Sequence, residues 1–191
     1  LSEVEENKEK FSSKNSYKVL ARKYRPQNFE DLMGQEIMVQ TLKNAFKTNR
    51  IAHAYILTGV RGIGKTTTAR LLARSLNYET ETINEPNIDM PELGKHCLEI
   101  MESRHIDVIE MDAASRTGIA DIREIIDSVN YSPSSARYKI YIIDEVHMLS
   151  KAAFNGLLKT LEEPPTHVKF IFATTEVQKI PLTILSRCQR F

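Results

Sequence analysis

Residues Gly59-Val60-Arg61-Gly62-Ile63-Gly64-Lys65-Thr66 fit the pattern G-x-x-x-x-G-K-[ST], with an apolar run before them and a helical pattern after. The chemistry that this spacing serves is the holding of a polyphosphate. Gly59, Gly62 and Gly64 let the backbone curl so that successive N–H groups point inward, and the start of the next helix adds partial positive charge. Lys65 is spaced to reach the β and γ phosphates and the Thr66 hydroxyl to ligate Mg²⁺, with Thr67 in the same phosphate-binding run. A second group ends another apolar run, Ile140-Tyr141-Ile142-Ile143-Asp144-Glu145. Asp144 is suited to the Mg²⁺ shell. Glu145, one residue on, points to the opposite side and can accept a proton from an attacking water, which makes hydrolysis the candidate reaction. A third run, Phe170-Ile171-Phe172-Ala173-Thr174-Thr175, delivers hydroxyls toward the same edge. Thr175 is spaced to contact the γ phosphate or the water, although a β-branched residue also ends a strand on propensity alone. His147 reads as a local hydrogen-bonding residue, because no His or Cys sits at ligand spacing from it.

These groups need a scaffold that brings strand ends together. Apolar runs at 54–58, 107–111, 139–143 and 168–173 alternate with helical spacing at 35–48, 65–76, 121–129 and 152–161. Short, nearly continuous apolar strands between helices predict an α/β fold with a parallel sheet covered on both faces, and ligands then bind outside the carboxyl ends of the strands. Glu163 precedes Pro164 and Pro165, which stops the helix before them. Residues 78–91 are polar and weakly patterned and read as a loop. Residues 1–16 carry only Leu1, Val4 and Phe11 as large apolar side chains and read as a flexible tail. The apolar pattern runs on into Phe191.

Composition excludes several classes. With 26 Lys+Arg against 25 Asp+Glu among 191 residues, the net charge of +1 gives no bulk attraction to nucleic acid, so any such contact must be local. No apolar run approaches the ~20 residues of a membrane span, which speaks against a membrane partner. Two cysteines far apart, Cys97 and Cys188, are no disulfide framework and fit a reducing, cytoplasmic setting.

Four longer stretches carry a resemblance: ARKYRPQNFEDLMGQE (21–36), HAYILTGVRGIGKTTTAR (53–70), IDEVHMLSKAAFNGLLKTLEEPP (143–165) and FATTEVQKIPLTILSRCQRF (172–191). Together they are similar to the AAA+ sliding-clamp loaders of the bacterial DNA polymerase III gamma/tau family. The resemblance implies a P-loop ATPase domain of the AAA+ type over residues 17–191, a five-stranded parallel sheet flanked by helices, with the helical lid and collar beyond residue 191. It implies ATP and Mg²⁺ as ligands, hydrolysis of ATP, and loading of a sliding clamp onto primed DNA within a polymerase III holoenzyme. Arg25-Pro26 and Leu32-Met33 would stand near the adenine, and Thr175 would be the first sensor. Arg187, in Ser186-Arg187-Cys188, would reach the ATP of a neighbouring subunit as an arginine finger in trans, where residue chemistry alone reads a surface charge. Implied partners are delta- and delta-prime-type loader subunits, the clamp and primer-template DNA, with polymerase core and replicative helicase bound through the region beyond residue 191.

The family also carries four cysteines for a structural Zn²⁺, and the matching positions here are Tyr78, Pro91, Gly94 and Cys97. One thiolate cannot serve a tetrahedral site, so no zinc is expected and packing must hold this stretch. Ala113-Ala114-Ser115-Arg116-Thr117-Gly118 reads as a helix opening whose free N–H groups, hydroxyls and Arg116 could grip a phosphate backbone; a cap with a solvated arginine is the alternative. Lys18, Arg22, Lys23 and Arg25 form a basic cluster. Three other functions fit parts of the pattern. Another AAA+ ATPase would share these motifs, the letters D-E-x-H at 144–147 occur in helicase-type DNA-dependent ATPases, and a scaffold could bind ATP without hydrolysing it. The intact set Lys65, Thr66, Asp144 and Glu145 disfavours the scaffold, and Ser186-Arg187-Cys188 disfavours the helicase.

Overall fold

A strand with no polar face must be covered on both sides, and the alternation along each strand shows how. In the computed structural model, which describes residues 26–116 and 118–191, the order is α1 (Glu36–Lys47), β1 (Ala54–Thr58), α2 (Lys65–Leu76), α3 (Cys97–Met101), β2 (Val108–Asp112), α4 (Ile119–Val129), β3 (Lys139–Asp144), α5 (Lys151–Glu162), β4 (Val168–Thr174), α6 (Leu182–Leu185) and β5 (Gln189–Arg190). The five strands form one parallel sheet in the order β2-β3-β4-β1-β5. Ala54, Ile56, Tyr141, Ile143, Phe170 and Phe172 face α4 and α5, meeting Ile122, Ile125, Phe154 and Leu157. Their neighbours Tyr55, Leu57, Ile140, Ile142 and Ile171 face the other way, onto Leu42 of α1 and Leu71, Leu72 and Leu76 of α2. This double cover is what the apolar runs demanded.

The expected elements fall within a residue or two of these limits. Helix α5 starts where the Ser150 hydroxyl accepts from the Ala153 N–H at 3.2 Å and stops before Glu163, whose ψ of 66° is set by the proline after it. Helices α3 and α6 and strand β5 are too short for a periodic signal. Strand β5 exists because β1 offers it an edge: Phe191 donates to the Ile56 carbonyl at 3.0 Å, and its own carbonyl accepts from Thr58 at 2.9 Å. The expected tail, the basic cluster, Arg25 and Thr117 lie outside the described residues.

One expectation is corrected. Helix α4 opens at Ile119 with Gly118 as its cap, and the amides of Ala113 to Arg116 ahead of it are occupied. Ala113 donates to the Asp144 carbonyl, Ala114 to Asp112 Oδ1, and Ser115 and Arg116 both to the Asp112 carbonyl. Asp112 ends β2 with an acceptor on both backbone and side chain, so it closes a tight turn and leaves no row of free N–H groups there.

The loop 78–96 holds itself by packing. The buried Tyr78 donates its hydroxyl to the Glu92 carbonyl at 3.0 Å and accepts from the Glu92 N–H at 3.1 Å. A Cβ on Gly94 would come within 3.1 Å of the Tyr78 ring and of Cys97 Sγ, and within 2.9 Å of the Glu79 carbonyl. Three of the four positions that the resemblance matches to the zinc cysteines thus lie close together around Gly94.

Asp107, 2% exposed, clamps the loop before β3. It accepts from the N–H groups of Ser134, Ser135 and Ala136 at 2.7, 2.7 and 2.9 Å and from the Ser135 hydroxyl at 3.1 Å. Burial alone would raise its pKa, but these donors outweigh burial and hold the carboxyl below its ordinary value. Its contribution to stability is therefore full above the ordinary carboxylate range and is lost as pH falls below it. Asp107→Asn should cost roughly 2–3 kcal/mol near neutral pH, read by denaturant titration, and should flatten the acid limb of the stability profile.

Candidate functional site

The register of the sheet puts the ends of β1, β3 and β4 on one edge: Thr58 pairs with Thr174, and Ile143 with Phe172. The loops that follow these strands are therefore neighbours. Between β1 and α2 the chain makes the glycine loop, where Gly62 has φ of 84° and Gly64, the residue before α2, has φ of 97°. An added Cβ would find open space at both positions, so glycine is required there by backbone conformation and not by crowding. Val60, Arg61, Gly62 and Ile63 are exposed, and Lys65, Thr66 and Thr67 are half-buried in the first turn of α2. Lys65 Nζ donates to the carbonyls of Gly59 and Val60 at 2.9 and 3.0 Å, so the cation folds back over its own loop.

Two polar pairs join this loop to the other strand ends. The Thr66 hydroxyl donates to Asp144 Oδ2 at 2.5 Å, across 78 residues of sequence. Asp144 Oδ1 accepts from the Glu145 N–H at 2.9 Å, and Glu145 takes a left-handed backbone, φ 46°, that turns its side chain away from Asp144. Glu145 Oε2 then accepts from the Thr175 hydroxyl at 3.1 Å and the Thr175 N–H at 3.3 Å. The spacing thus led to the right neighbours: Lys65, Thr66, Asp144, Glu145 and Thr175 stand on one edge. Thr66 and Asp144 offer hard oxygen atoms of the kind Mg²⁺ takes, beside a loop whose curvature suits phosphate oxygens.

His147 is a brace for this group. Its side chain is 6% exposed, with Nδ1 at 3.0 Å from Thr174 Oγ1 and 3.3 Å from Glu145 Oε2, and Nε2 at 3.3 Å from Glu176 Oε1. The Lys179 ammonium, at 2.9 Å, holds Glu176 below its ordinary pKa. The sequence reading of His147 as a hydrogen-bonding residue agrees with this geometry. Of its partners, Thr174 belonged to the strand end whose hydroxyls were expected at this edge, and Glu176 carried no local signal.

The wall of the cavity beside Lys65 adds to Ile63 several residues that the sequence did not single out. Gln35, Met38, Leu57, Thr58, Ile63, Thr68 and Phe191 line a small cavity there of about 40 Å³. Leu32 instead lines a separate 280 Å³ cavity with Phe29, Val39 and Ile88, Met33 is 93% exposed, and Pro26 lines neither. Arg187 stands apart from these groups: its guanidinium meets Glu162 Oε1 at 2.5 Å and the Thr183 carbonyl at 2.5 Å. Cys188 beside it is packed against the core, and burial pushes its thiol up to about 12. Ser115 and Arg116 are exposed on the turn after β2.

Comparison with known proteins adds the following. The family model described as DNA polymerase III, delta subunit, matches residues 34–191. DNA polymerase III subunit tau of Escherichia coli strain K12 is 54% identical over 176 residues, which is 92% of this chain and 27% of that protein. Among solved structures, a DNA polymerase III gamma subunit-related protein of Thermotoga maritima superposes with a TM-score of 0.54 at 25% identity, covering 80% of this chain and 44% of that one. The Thermotoga maritima RuvB Holliday junction branch migration motor superposes at 0.56 with 20% identity, over 87% and 47% of the two chains, and shares the fold. The chain spans about a quarter of tau relatives and about half of gamma relatives.

The loop geometry makes its own prediction. Gly64→Ala forces a Cβ into the left-handed region and should lower stability by about 1–2 kcal/mol, read as a fall in the thermal midpoint. Arg187→Ala, which removes one exposed ion pair, should move the midpoint far less.

Proposed function

The chain belongs to the DNA polymerase III delta-subunit family, with gamma and tau subunits as its curated relatives, and from that premise we propose that it is the ATP-binding and ATP-hydrolysing part of a sliding-clamp loader. Residues 17–191 are then an AAA+ ATPase domain that works with delta- and delta-prime-type subunits. ATP binding closes the ring, opens the clamp and grips primer-template DNA; hydrolysis releases both. Polymerase core and replicative helicase join through parts of the protein outside these residues, and the work belongs in the cytoplasm, where the chromosome is copied.

The observation that carries this reading is the pairing of Thr66 with Asp144 beside the left-handed turns of Gly62 and Gly64. Thr66 and Asp144 would hold Mg²⁺. When bound, the ion neutralises charge that develops on the transferred phosphoryl group. The loop from Gly59 to Gly64, with Val60, Arg61 and Ile63 between, presents backbone N–H groups to the phosphates, and Thr67 extends the cradle into α2. Lys65 exchanges the carbonyls of Gly59 and Val60 for β- and γ-phosphate oxygens, better acceptors because they carry charge. Glu145 takes the proton of the attacking water, and His147 and Thr175 fix the direction of its carboxylate. Thr175, tied to Glu145, serves as the first sensor, and binding of the base is assigned to Arg25 and Pro26.

Arg187 acts on the ATP of the next subunit. To do so it leaves Glu162, and the exposed setting of that ion pair makes the exchange inexpensive. Arg187 spreads charge over the equatorial oxygens in the transition state, so an isolated subunit turns over slowly. Ser115, Arg116 and Thr117 offer hydroxyls and a cation to the DNA backbone, without base readout.

The test is ATP turnover of the full-length protein assembled with its partner subunits, with and without clamp and primed DNA. Clamp and primed DNA together should stimulate turnover in the wild type; Lys65→Ala should abolish it, and Arg187→Ala should lower it by ~10³-fold or more while nucleotide still binds. Stimulation by single-stranded DNA alone, with no effect of the clamp or of Arg187→Ala, would overturn the reading in favour of a helicase-type ATPase. Glu145→Gln keeps an acceptor for Thr175 but no base, so nucleotide binding should persist while turnover falls by ~10²–10⁴, checked by equilibrium binding beside single-turnover kinetics.

A further inference from the structure

Of the five histidines in the chain, His96 and His105 meet away from the phosphate loop, each 4% exposed. His96 stands just ahead of α3 and His105 between α3 and β2, so the pair joins the end of the 78–96 loop to the start of β2. Their rings cross at 81° with centroids 4.9 Å apart, and His105 Nε2 lies 2.9 Å from His96 Nδ1. Observed bonds assign the protons. The Asp107 N–H donates to His105 Nδ1 at 3.0 Å, so that nitrogen offers a lone pair and the neutral ring holds its proton on Nε2. His105 Nε2 is therefore the donor to His96 Nδ1, and His96 in turn holds its proton on Nε2. That last N–H is buried and has no hydrogen bond, with a carboxylate oxygen, Glu79 Oε2, 3.5 Å away.

In this arrangement neither ring has a free lone pair. A proton added to His105 must displace the Asp107 N–H, and one added to His96 must displace His105, so the closed pair takes no proton without losing a buried hydrogen bond. Burial first, and then the charge of His96, hold His105 below its ordinary pKa, against the pull of Asp107 and Glu99. The other charges about the pair have partners. Asp107 is bound to the 134–136 turn and stays ionised, and Arg104 pairs with Glu102 and Glu99. Against a cost of burial, the Lys95 ammonium at 3.3 Å and His96 hold Glu79 below its ordinary value. Glu79 thus keeps its negative charge where histidines titrate, and an imidazolium at position 96 has a counter-charge beside it.

We propose that His96 and His105 form a proton-operated latch: closed while both rings are neutral, it opens when His96 takes a proton, leaves His105 and turns to Glu79, releasing the loop end from the start of β2. The open form takes up protons at the ordinary histidine value of about 6.5 and the closed form below it. The latch therefore holds above that pH, and opening gains about tenfold per pH unit below it for each proton taken up. Loss of the Asp107 clamp belongs to the carboxylate range and is a separate event. The latch shares no residue with the phosphate-loop edge, so it stands or falls independently of ATP hydrolysis.

The experiment is nitrogen-15 NMR of the histidine rings, with amide hydrogen exchange, in the full chain between about pH 8 and pH 5. At the upper limit both rings should show the Nε2–H tautomer. The reporters are the Asp107 amide, on His105, and the Lys95 amide, which donates to the Glu79 carbonyl at 2.8 Å. Their exchange, corrected for its intrinsic pH dependence, should accelerate by about tenfold or more per pH unit below about 6.5, while amides of β4 stay protected. His96→Asn combined with His105→Gln keeps an acceptor facing a donor, has no titrating ring and leaves the other three histidines in place, so the acceleration should vanish. Glu79→Gln, a partly exposed change that leaves the pair intact, should move the onset to lower pH. An Nδ1–H tautomer in either ring, titration of both rings with the two amides still protected, or acceleration that persists in the double variant would overturn the latch. An onset that stays in place in Glu79→Gln would overturn Glu79 as the group that receives His96. The tautomers and Glu79→Gln keep the test decisive if the double variant does not fold.

Discussion

Strand β4 lies between β1 and β3 with every one of its residues buried, and the geometry of both edges of the sheet follows from that placement. A strand enclosed in this way needs helices on both faces, which the crossovers through α2, α4 and α5 supply. Parallel pairing then sets the carboxyl ends side by side, so the loops after β1, β3 and β4 converge without any contact between them having to hold the sheet together. The polar groups there are free to serve chemistry.

That freedom is visible in how the groups are satisfied. Lys65 rests on the carbonyls of its own loop, and Thr66 rests on Asp144. Each bond can be exchanged for one to a phosphate oxygen or a cation without unfolding anything. Glu145 differs, because its left-handed backbone is strained and persists only when its surroundings over-determine it. Thr175 and His147 provide that over-determination, with Thr174 and Glu176 behind His147. A strained acid held by several weak bonds keeps one direction, which a proton acceptor for a positioned water requires.

The far side of the molecule solves a different problem. The 78–96 loop has little regular structure, and it is tied down by side chains that reach backbone carbonyls and amides. Arg137 donates to the carbonyls of Leu76 and Tyr78 and to Asn84, joining the end of α2 and the loop to the segment before β3. With Tyr78 on Glu92 and Asp107 on the 134–136 turn, the backbone groups left over by short elements find partners.

The amino-acid order determined what is local: the glycine loop, the helix stop before Pro164, the apolar strands, and the class of fold that such strands require. It also named Lys65, Thr66, Asp144, Glu145 and Thr175, because each ends or follows an element whose pattern is contiguous. Which of them touch was a tertiary decision, since the bond from Thr66 to Asp144 depends on strand order and register, and neither is written in a local pattern. Arg187 shows the same limit, for its partner Glu162 lies 25 residues away at the end of α5. Met38, Leu57 and Phe191 carry no mark that distinguishes a cavity wall from a core, because burial of apolar surface is non-directional and any apolar side chain serves. Lys169 carries the least signal of all. In the sequence it is one charged residue in an apolar run; in the fold its ammonium lies 4.9 Å from the centre of the Tyr138 ring, on a segment that only the topology brings beside it.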